Sequence, residues 1–292
     1  MNPPPASLPP VGLTAVGVAA IRASESDRPD RLFDDPYAAG FARAAGEWRP
    51  GGPPPPAESD AGRQGLISWI TVRTRFLDDI VRAACAGPCR QVVILGAGLD
   101  SRALRLDWPE GTRLFELDLA AVLEFKDGVI RAEGWRPRCE RITVPGDLSG
   151  DWGQPLVDAG FDAHAPVAWV VEGLLAYLTE EVRDALVTRT ADLSVAGSRM
   201  GLTLASSDRL DSWRAAHPGG PSSPGGPTSP GDYVALWRST APPDPVGWLA
   251  SLGWRASLFD VAERAMAYGR PIDHAAGGGS RAGARLVDAV RV

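Results

Sequence analysis

Lysine, histidine and cysteine are scarce in this 292-residue sequence, which has one lysine, Lys126, among thirty basic residues and only three cysteines and three histidines. An odd and sparse set of cysteines excludes a disulfide framework and favours a reducing cytoplasm. Cys85 and Cys89 could form half of a zinc site, but the scattered histidines do not have the spacing of a second half. We therefore predict no metal centre.

Long apolar runs and an excess of positive charge are also missing. No stretch approaches the roughly 18 apolar residues of a membrane span, and residues 11–21, VGLTAVGVAAI, lack the basic residues that precede the core of a signal sequence. A net charge of −6 opposes binding to nucleic-acid phosphates. We expect a soluble, cytoplasmic protein whose partners are small molecules, not nucleic acid or a membrane, and we leave a homodimer open.

Short apolar runs alternate with helix-length segments along most of the chain. Helices are predicted near 13–26, 36–46 and 64–85. The predicted strands follow at 92–95, 113–118, 141–144, 167–172 and 199–205. This alternation indicates βαβ units and a doubly wound parallel sheet, and two strands late in the chain indicate an antiparallel last strand. We predict an α/β, Rossmann-like fold.

The domain organisation follows from the same pattern. Residues 1–88 are predicted to form an N-terminal helical cover, and residues 89–292 the core, with an insertion at 206–245. The Gly- and Pro-rich segments 49–65 and 215–231 are predicted to be loops, because prolines remove hydrogen-bond donors and fix φ. The second loop either covers a site as a lid or is a passive surface insertion.

A glycine turn, Gly96-Ala97-Gly98, follows the strand VVIL directly, and Asp118 ends the next strand about 20 residues later. Such a turn lets a ligand approach the backbone, and such an acid accepts ribose hydroxyls. A dinucleotide site would have a third glycine or alanine where Ser101 stands, and Asp100 would repel a pyrophosphate. The site therefore favours a nucleoside without phosphate, such as S-adenosylmethionine, over a nicotinamide cofactor. Glu116, on the same face as Asp118, is interpreted as a supporting or solvated acid.

Sequence blocks spread over nearly the whole chain form a recognisable set. They are GLTAVGVAAIRASES, RPDRLFDDPYA, VRTRFLDD, QVVILGAGLDSRALRL, FELDLAAVLEFK, VPGDL, VEGLLAYL and GWLASLGWRA. Together they resemble the leucine carboxyl methyltransferase family, in its bacterial branch of S-adenosylmethionine-dependent methyltransferases. The resemblance implies a class I methyltransferase fold, S-adenosyl-L-methionine as the cofactor and S-adenosyl-L-homocysteine as its product.

The resemblance also implies roles for individual residues. Arg73 resembles the arginine that holds the methionine carboxylate, which a guanidinium can do through two parallel bonds. Around it, Gly96, Ala97 and Gly98 would lie under the methionine, Asp118 and Leu119 at the ribose, Asp147 and Leu148 at the adenine, and Glu172 near the amino end of the cofactor. The sequence departs from the family pattern at Leu104, at Gly146 and in the 215–231 loop, and the last departure leaves the acceptor pocket undefined.

The expected reaction follows from the resemblance and from the matched motifs, none of which contains a histidine that could act as a general base. Methyl transfer depends on positioning and on exclusion of water, and a carboxylate acceptor is already ionised at neutral pH. We predict an O-methyltransferase acting on the carboxylate of a small organic acid or natural-product intermediate, with Glu172 and Tyr177 as candidate catalytic residues. The alternatives are a phenol or alcohol acceptor with His164, His217 or Tyr177 as base, a protein acceptor of the phosphatase type, and a cofactor-binding protein without activity.

Overall fold

The computed structural model describes residues 10–46, 60–205, 236–272 and 285–292, with isolated positions at 8, 210, 211, 215 and 234. Over these residues the chain forms a seven-stranded sheet in the order β3-β2-β1-β4-β5-β7-β6. The strands are β1 (Gln91–Leu95), β2 (Arg113–Asp118), β3 (Glu140–Pro145), β4 (Val167–Val171), β5 (Arg199–Leu204), β6 (Trp254–Asp260) and β7 (Arg285–Arg291). Strands β1 to β5 are parallel, and β7 runs antiparallel to both β5 and β6. The predicted sheet with an antiparallel last strand is confirmed.

The helices connect the strands and cover them. They are α1 (Pro10–Ser26), α2 (Ala38–Ala44), α3 (Asp60–Ala86), α4 (Arg102–Arg105), α5 (Ala120–Ala132), α6 (Gly153–Asp158), α7 (Glu180–Asp192), α8 (Pro245–Ser251) and α9 (Val261–Ala267), with a 3-10 turn at Leu175–Tyr177. The prediction that all of 49–65 is a loop is wrong at its end, because α3 begins at Asp60. The last proline of the segment is Pro56, so the residues from Asp60 onward retain the N–H groups that a helix needs. The rest of that segment and residues 216–231 of the second predicted loop lie outside the described residues.

Apolar side chains cover both faces of the sheet. All five residues of β1 are buried, as is typical of a central parallel strand covered on both sides. The register places Val93 between Phe115 of β2 and Trp169 of β4, and these three side chains pack with α6, α7 and α8. On the opposite face, Val92 and Ile94 pack against α3. The predicted division at residue 88 stays a prediction, but α3 of the proposed cover contacts the sheet directly.

A third apolar cluster joins α1, α2 and α5 and includes Val16, Phe41 and Val129. It holds α1 over the ends of β1 and β2, which is where the glycine turn lies. Among the helices that the structure describes, none is long and apolar enough to cross a membrane.

The only lysine of the chain is buried behind β2. Lys126 of α5 lies 2.7 Å from Glu116 Oε2, and Arg141 of β3 donates to the same oxygen at 2.7 Å. Arg141 also donates to Asp127 of α5. Glu116 and Lys126 are fully buried, and burial lowers the pKa of Lys126 against the opposing effect of Glu116. Glu116 is therefore a supporting acid that joins β2, β3 and α5, and the alternative of a solvated acid is wrong.

Removing the Glu116 carboxylate should destabilise the fold. The change Glu116→Ala leaves the Lys126 ammonium buried with no carboxylate beside it, and we expect a loss of about 3–5 kcal/mol in the free energy of unfolding. Urea denaturation measures this loss. The matched control is Glu124→Ala, which removes an exposed acid from α5, the helix that carries Lys126. The double change Glu116→Leu and Lys126→Met should recover much of the stability. A single variant as stable as the wild type would contradict the account.

Candidate cofactor and acceptor site

A cavity of about 220 Å³ lies at the carboxyl ends of β1, β4 and β5, between α1 and α3. Ligands of open α/β sheets bind at this edge. Seven of the predicted site residues line it, namely Arg73, Gly96, Ala97, Gly98, Asp118, Glu172 and Tyr177. The fold thus brings together residues that are up to 104 positions apart in the sequence, from Arg73 to Tyr177.

The glycine turn is closed in by two other elements. Gly96 and Gly98 have positive φ angles of 65° and 46°, which L side chains rarely adopt. A Cβ on Gly98 would lie 3.1 Å from the Cβ of Ala15 on α1, and a Cβ on Gly96 would lie 3.0 Å from Leu174 Cδ1. The turn therefore needs glycine at both positions, for backbone conformation and for space.

Asp118 lies beside this turn at the end of β2. Its Oδ2 accepts a hydrogen bond from Gly98 N at 2.7 Å, and its Oδ1 accepts one from Leu119 N at 2.7 Å. Burial raises the pKa of Asp118, and the two backbone hydrogen bonds oppose that shift. Each carboxylate oxygen can accept more than one hydrogen bond, so the predicted contact with ribose hydroxyls is compatible with this arrangement.

Arg73 and Glu172 form an ion pair at the bottom of the cavity. Arg73 Nε lies 3.0 Å from Glu172 Oε1, and the guanidinium lies 5.7 Å from the ring centroid of Trp69 on the same helix. Gly173 has a φ of 63°, and a Cβ there would lie 3.1 Å from Arg73 Nη1. The backbone N–H of Gly173 donates to Thr203 Oγ1 at 2.8 Å. The Glu-Gly pair after β4 is thus fixed by β5 and leaves room for the guanidinium.

Sequence reasoning did not identify Arg102, which forms an ion pair with the second carboxylate oxygen of Glu172. Its Nη2 lies 2.8 Å from Glu172 Oε2, its Nε lies 2.8 Å from Asp78 Oδ1, and its Nη1 is paired with Asp100. Burial disfavours the ionised forms of both Glu172 and Asp100, but nearby arginines outweigh it. They lower the pKa of Glu172 and bring the pKa of Asp100 to about 2. The charge of Asp100, which was expected to repel an anion, is therefore compensated by Arg102.

The ion pairs continue from Asp78 towards α1. Arg105 donates to both oxygens of Asp78, at 2.6 and 2.7 Å, and to Ser101 Oγ, which in turn donates to Asp35 Oδ2 at 2.6 Å. Arg22 of α1 donates to the same Asp35 oxygen at 2.8 Å. We call these residues the buried ion network. Its members are Arg22, Arg73, Arg102, Arg105, Asp35, Asp78, Asp100 and Glu172.

Three of the predicted cofactor residues lie away from the cavity lining. Leu119 has 36% of its surface exposed, and Asp147 is exposed with Oδ1 accepting from Ser149 N and Oγ. Leu148 is buried in the apolar cluster with Trp152. The cavity lining therefore does not include the predicted adenine contacts, and the roles of these three residues stay predictions. Arg75 points away, as expected, to Asp79.

The side chains that line the cavity match the parts of S-adenosylmethionine. Its amino-acid end carries a carboxylate and an ammonium, and Arg73 with Glu172 offers one charge of each sign. Its ribose offers two hydroxyl donors, and Asp118 offers a carboxylate acceptor beside a turn that a Cβ would fill. Together with the sheet order, these features define a class I S-adenosylmethionine-dependent methyltransferase.

Comparison with known proteins places the chain more narrowly. The profile of the family described as leucine carboxyl methyltransferase matches residues 15–191, and the chain belongs to this family. A relative from Streptomyces coelicolor is 51% identical over 90% of this chain and 89% of its own length. Another, from Streptomyces avermitilis, is 50% identical over 90% of this chain and 89% of its own. Both carry provisional names as S-adenosyl-L-methionine-dependent methyltransferases, and S-adenosylmethionine is the cofactor.

One solved structure supports the fold alone. It is a DUF574-family protein from Streptomyces avermitilis, with a TM-score of 0.52 at 14% identity, and the alignment covers 94% of this chain and 97% of that chain.

Loss of the Asp118 carboxylate should weaken cofactor binding without unfolding the protein. We expect Asp118→Ala to cost about 1–3 kcal/mol in the binding of S-adenosylhomocysteine, because the ribose hydroxyls lose their acceptor in a partly closed site. Calorimetric titration measures the change, and Asp118→Asn, which keeps an acceptor but no charge, should lose less. Wild-type affinity in the alanine variant would show that the ribose lies elsewhere.

The raised pKa of Asp118 also predicts how cofactor affinity depends on pH. The ribose hydroxyls donate to the ionised carboxylate, so affinity is complete above the pKa of Asp118 and falls as the pH drops through it. Because burial raises this pKa, the fall should begin at a higher pH than for an ordinary aspartate, whose pKa is about 3.9. Titrations of S-adenosylhomocysteine at a series of pH values from about 4 upward, the ordinary pKa of an aspartate being about 3.9, measure this, and the decline should be absent from Asp118→Asn. An equal decline in both proteins would assign it to another group.

Proposed function

We propose that this methyltransferase esterifies the carboxylate of a small organic acid, such as a natural-product intermediate. The observation that carries the proposal is that the described residues lining the cavity offer no well-placed general base. None of them is a histidine, and the only phenol among them is that of Tyr177. The carboxylates of Asp100 and Glu172 are ion-paired with arginines, which makes them weak bases, and Asp118 is the predicted ribose acceptor. An acceptor that arrives already ionised needs no base, and a carboxylate is ionised at neutral pH.

Tyr177 is poorly suited to remove a proton. Burial raises the pKa of its phenol, and the opposing effects of Arg73 and of hydrogen bonds with Thr14 and Trp237 do not cancel that shift. The phenol therefore stays protonated at neutral pH. Of the other candidate bases, His164 is exposed on a loop outside the cavity lining. His217 lies outside the described residues, and its role is tested by substitution below.

The polarity of the cavity wall supports an ionised acceptor. When bound, S-adenosylmethionine would supply a methyl group, whose bond to the positively charged sulfur breaks as its bond to the acceptor oxygen forms. With a carboxylate acceptor, the positive charge on sulfur and the negative charge on the acceptor are both lost in this transfer. Apolar walls favour such a change, because they solvate separated charges poorly. Leu66, Trp69, Ile70 and Val18 supply such walls in this chain. The description of the family as leucine carboxyl methyltransferase agrees with a carboxylate acceptor.

The pH dependence of the chemical step tests the proposal. A carboxylate acceptor has a pKa near 4, so single-turnover methyl transfer should change little between about pH 6 and 9. The measurement follows S-adenosylhomocysteine and methyl ester together, after incubation with a panel of small carboxylic acids and the matching phenols. The variant His217→Gln, which removes the one remaining candidate base, should keep the wild-type rate.

Two results would contradict the proposal in different ways. A rate that rises steeply with an apparent pKa of about 7–9, and that is lost in His217→Gln, would indicate a hydroxyl acceptor and a base. Tight binding of S-adenosylhomocysteine with no methyl transfer to any acid would instead favour a binding protein without activity.

A further inference from the structure

Among the described residues that line the cavity, the charged ones lie close to one another. They are Arg22, Arg73, Asp100, Asp118 and Glu172, and all except Asp118 belong to the buried ion network. Their positive and negative charges face one another within that network. This part of the cavity is the one that fits the cofactor.

Beyond Arg73 the cavity continues along one face of α3. Leu66, Trp69, Ile70 and Arg73 all line it, and their spacing of three, four and seven residues puts them on one side of a helix. From Arg73 back to Leu66 the helix rises about 10 Å, which is long enough to accommodate two fused six-membered rings. Val234 and Trp237 also line the cavity. We call Leu66, Trp69, Ile70, Val234 and Trp237 the outer half.

Aromatic and apolar groups dominate this outer half, and its described residues include no charged side chain. The ring centroid of Trp69 lies 5.7 Å from Cζ of the Arg73 guanidinium. Trp237 is held near Tyr177 through a hydrogen bond to that phenol. The next two residues anchor this part of the chain, because Arg238 N and Ser239 N both donate to Ala176 O. Two indole rings are thus fixed around a space next to Arg73.

The neutral polar groups at the border of the outer half satisfy one another. Tyr177 is hydrogen-bonded to Thr14 of α1 and to Trp237, and Thr203 accepts from Gly173 N. A peptide acceptor would bring main-chain amides, and each amide buried without a partner costs free energy. An apolar ring brings none and gains contact with the indoles.

We propose that the outer half binds the ring of an aryl carboxylic acid, so that the acceptor of this enzyme is a flat, apolar acid whose one charge is the carboxylate. The inference rests on the proposed carboxylate methylation and adds the chemical class of the acid. The ring lies against Trp69, and the carboxylate lies at the border between the outer half and the part of the cavity that fits the cofactor.

Binding to the protein saturated with S-adenosylhomocysteine tests the inference without any turnover. The probes are 2-naphthoate, cyclohexanecarboxylate, 2-naphthamide and a tetrapeptide that ends in a leucine carboxylate. We expect 2-naphthoate to bind about tenfold more tightly than each of the other three, as measured by calorimetry.

Variants of Trp69 locate the ring. Trp69→Leu should weaken 2-naphthoate binding about tenfold when S-adenosylhomocysteine is held at a concentration that saturates each variant, whereas Trp69→Phe should keep most of the 2-naphthoate affinity because it keeps a ring. The control is Trp248→Leu, a partly buried tryptophan on α8 outside the cavity, which should leave the affinity for 2-naphthoate unchanged.

The outcomes separate this inference from the proposed function. Preferential binding and methylation of the tetrapeptide, or 2-naphthoate binding unaffected by Trp69→Leu, would overturn the aryl acid assignment and leave carboxylate methylation standing. If 2-naphthoate binds in a Trp69-dependent manner but no acid is ever methylated, the ring site stands and the proposed function fails.

Discussion

The buried ion network is the constraint on which the candidate site depends. Among the described residues it joins four arginines to four carboxylates in one connected set. Ions buried this deeply are tolerated only when each has a partner of opposite charge, so each member restricts the position of the next. Because Arg102 holds one oxygen of Glu172 and Arg73 contacts the other, the two groups predicted to receive the amino-acid end of the cofactor are held in place by the protein itself.

The balance of the network also shapes the rest of the cavity. With its charges compensated internally, the network leaves Asp118 as the one further charged residue among the described cavity lining. The outer half can then be apolar without placing an isolated charge in a low-dielectric space. A polar, fixed inner part and an apolar outer part suit a reaction in which positioning and exclusion of water supply most of the rate.

Much of this arrangement could be predicted from the sequence, because it depends on local patterns. The parallel sheet with its antiparallel last strand followed from alternating apolar runs, the prediction for Asp118 from its place about 20 residues after the glycine turn, and the prediction for Arg73 from the family resemblance. Arg102 could not be predicted, since its partners Asp78 and Glu172 are 24 and 70 positions away and ion pairing over such separations leaves no periodic signal. The motif blocks did contain the signal in another form, because five of the eight blocks quoted for the family resemblance together contain every member of the network. The start of α3 was missed because a run of prolines masked the helix-forming residues that follow it.

The claim that Arg73 and Glu172 receive the amino-acid end of the cofactor can be tested by one comparison of ligands. S-adenosylhomocysteine and 5′-methylthioadenosine share the nucleoside, but the second has no carboxylate or ammonium. Calorimetry on the wild type and on Arg73→Ala should show that the wild type prefers S-adenosylhomocysteine by about tenfold or more, and that the variant loses this preference while binding 5′-methylthioadenosine as before. An equal loss of affinity for both ligands, or an unchanged preference in the variant, would contradict the account.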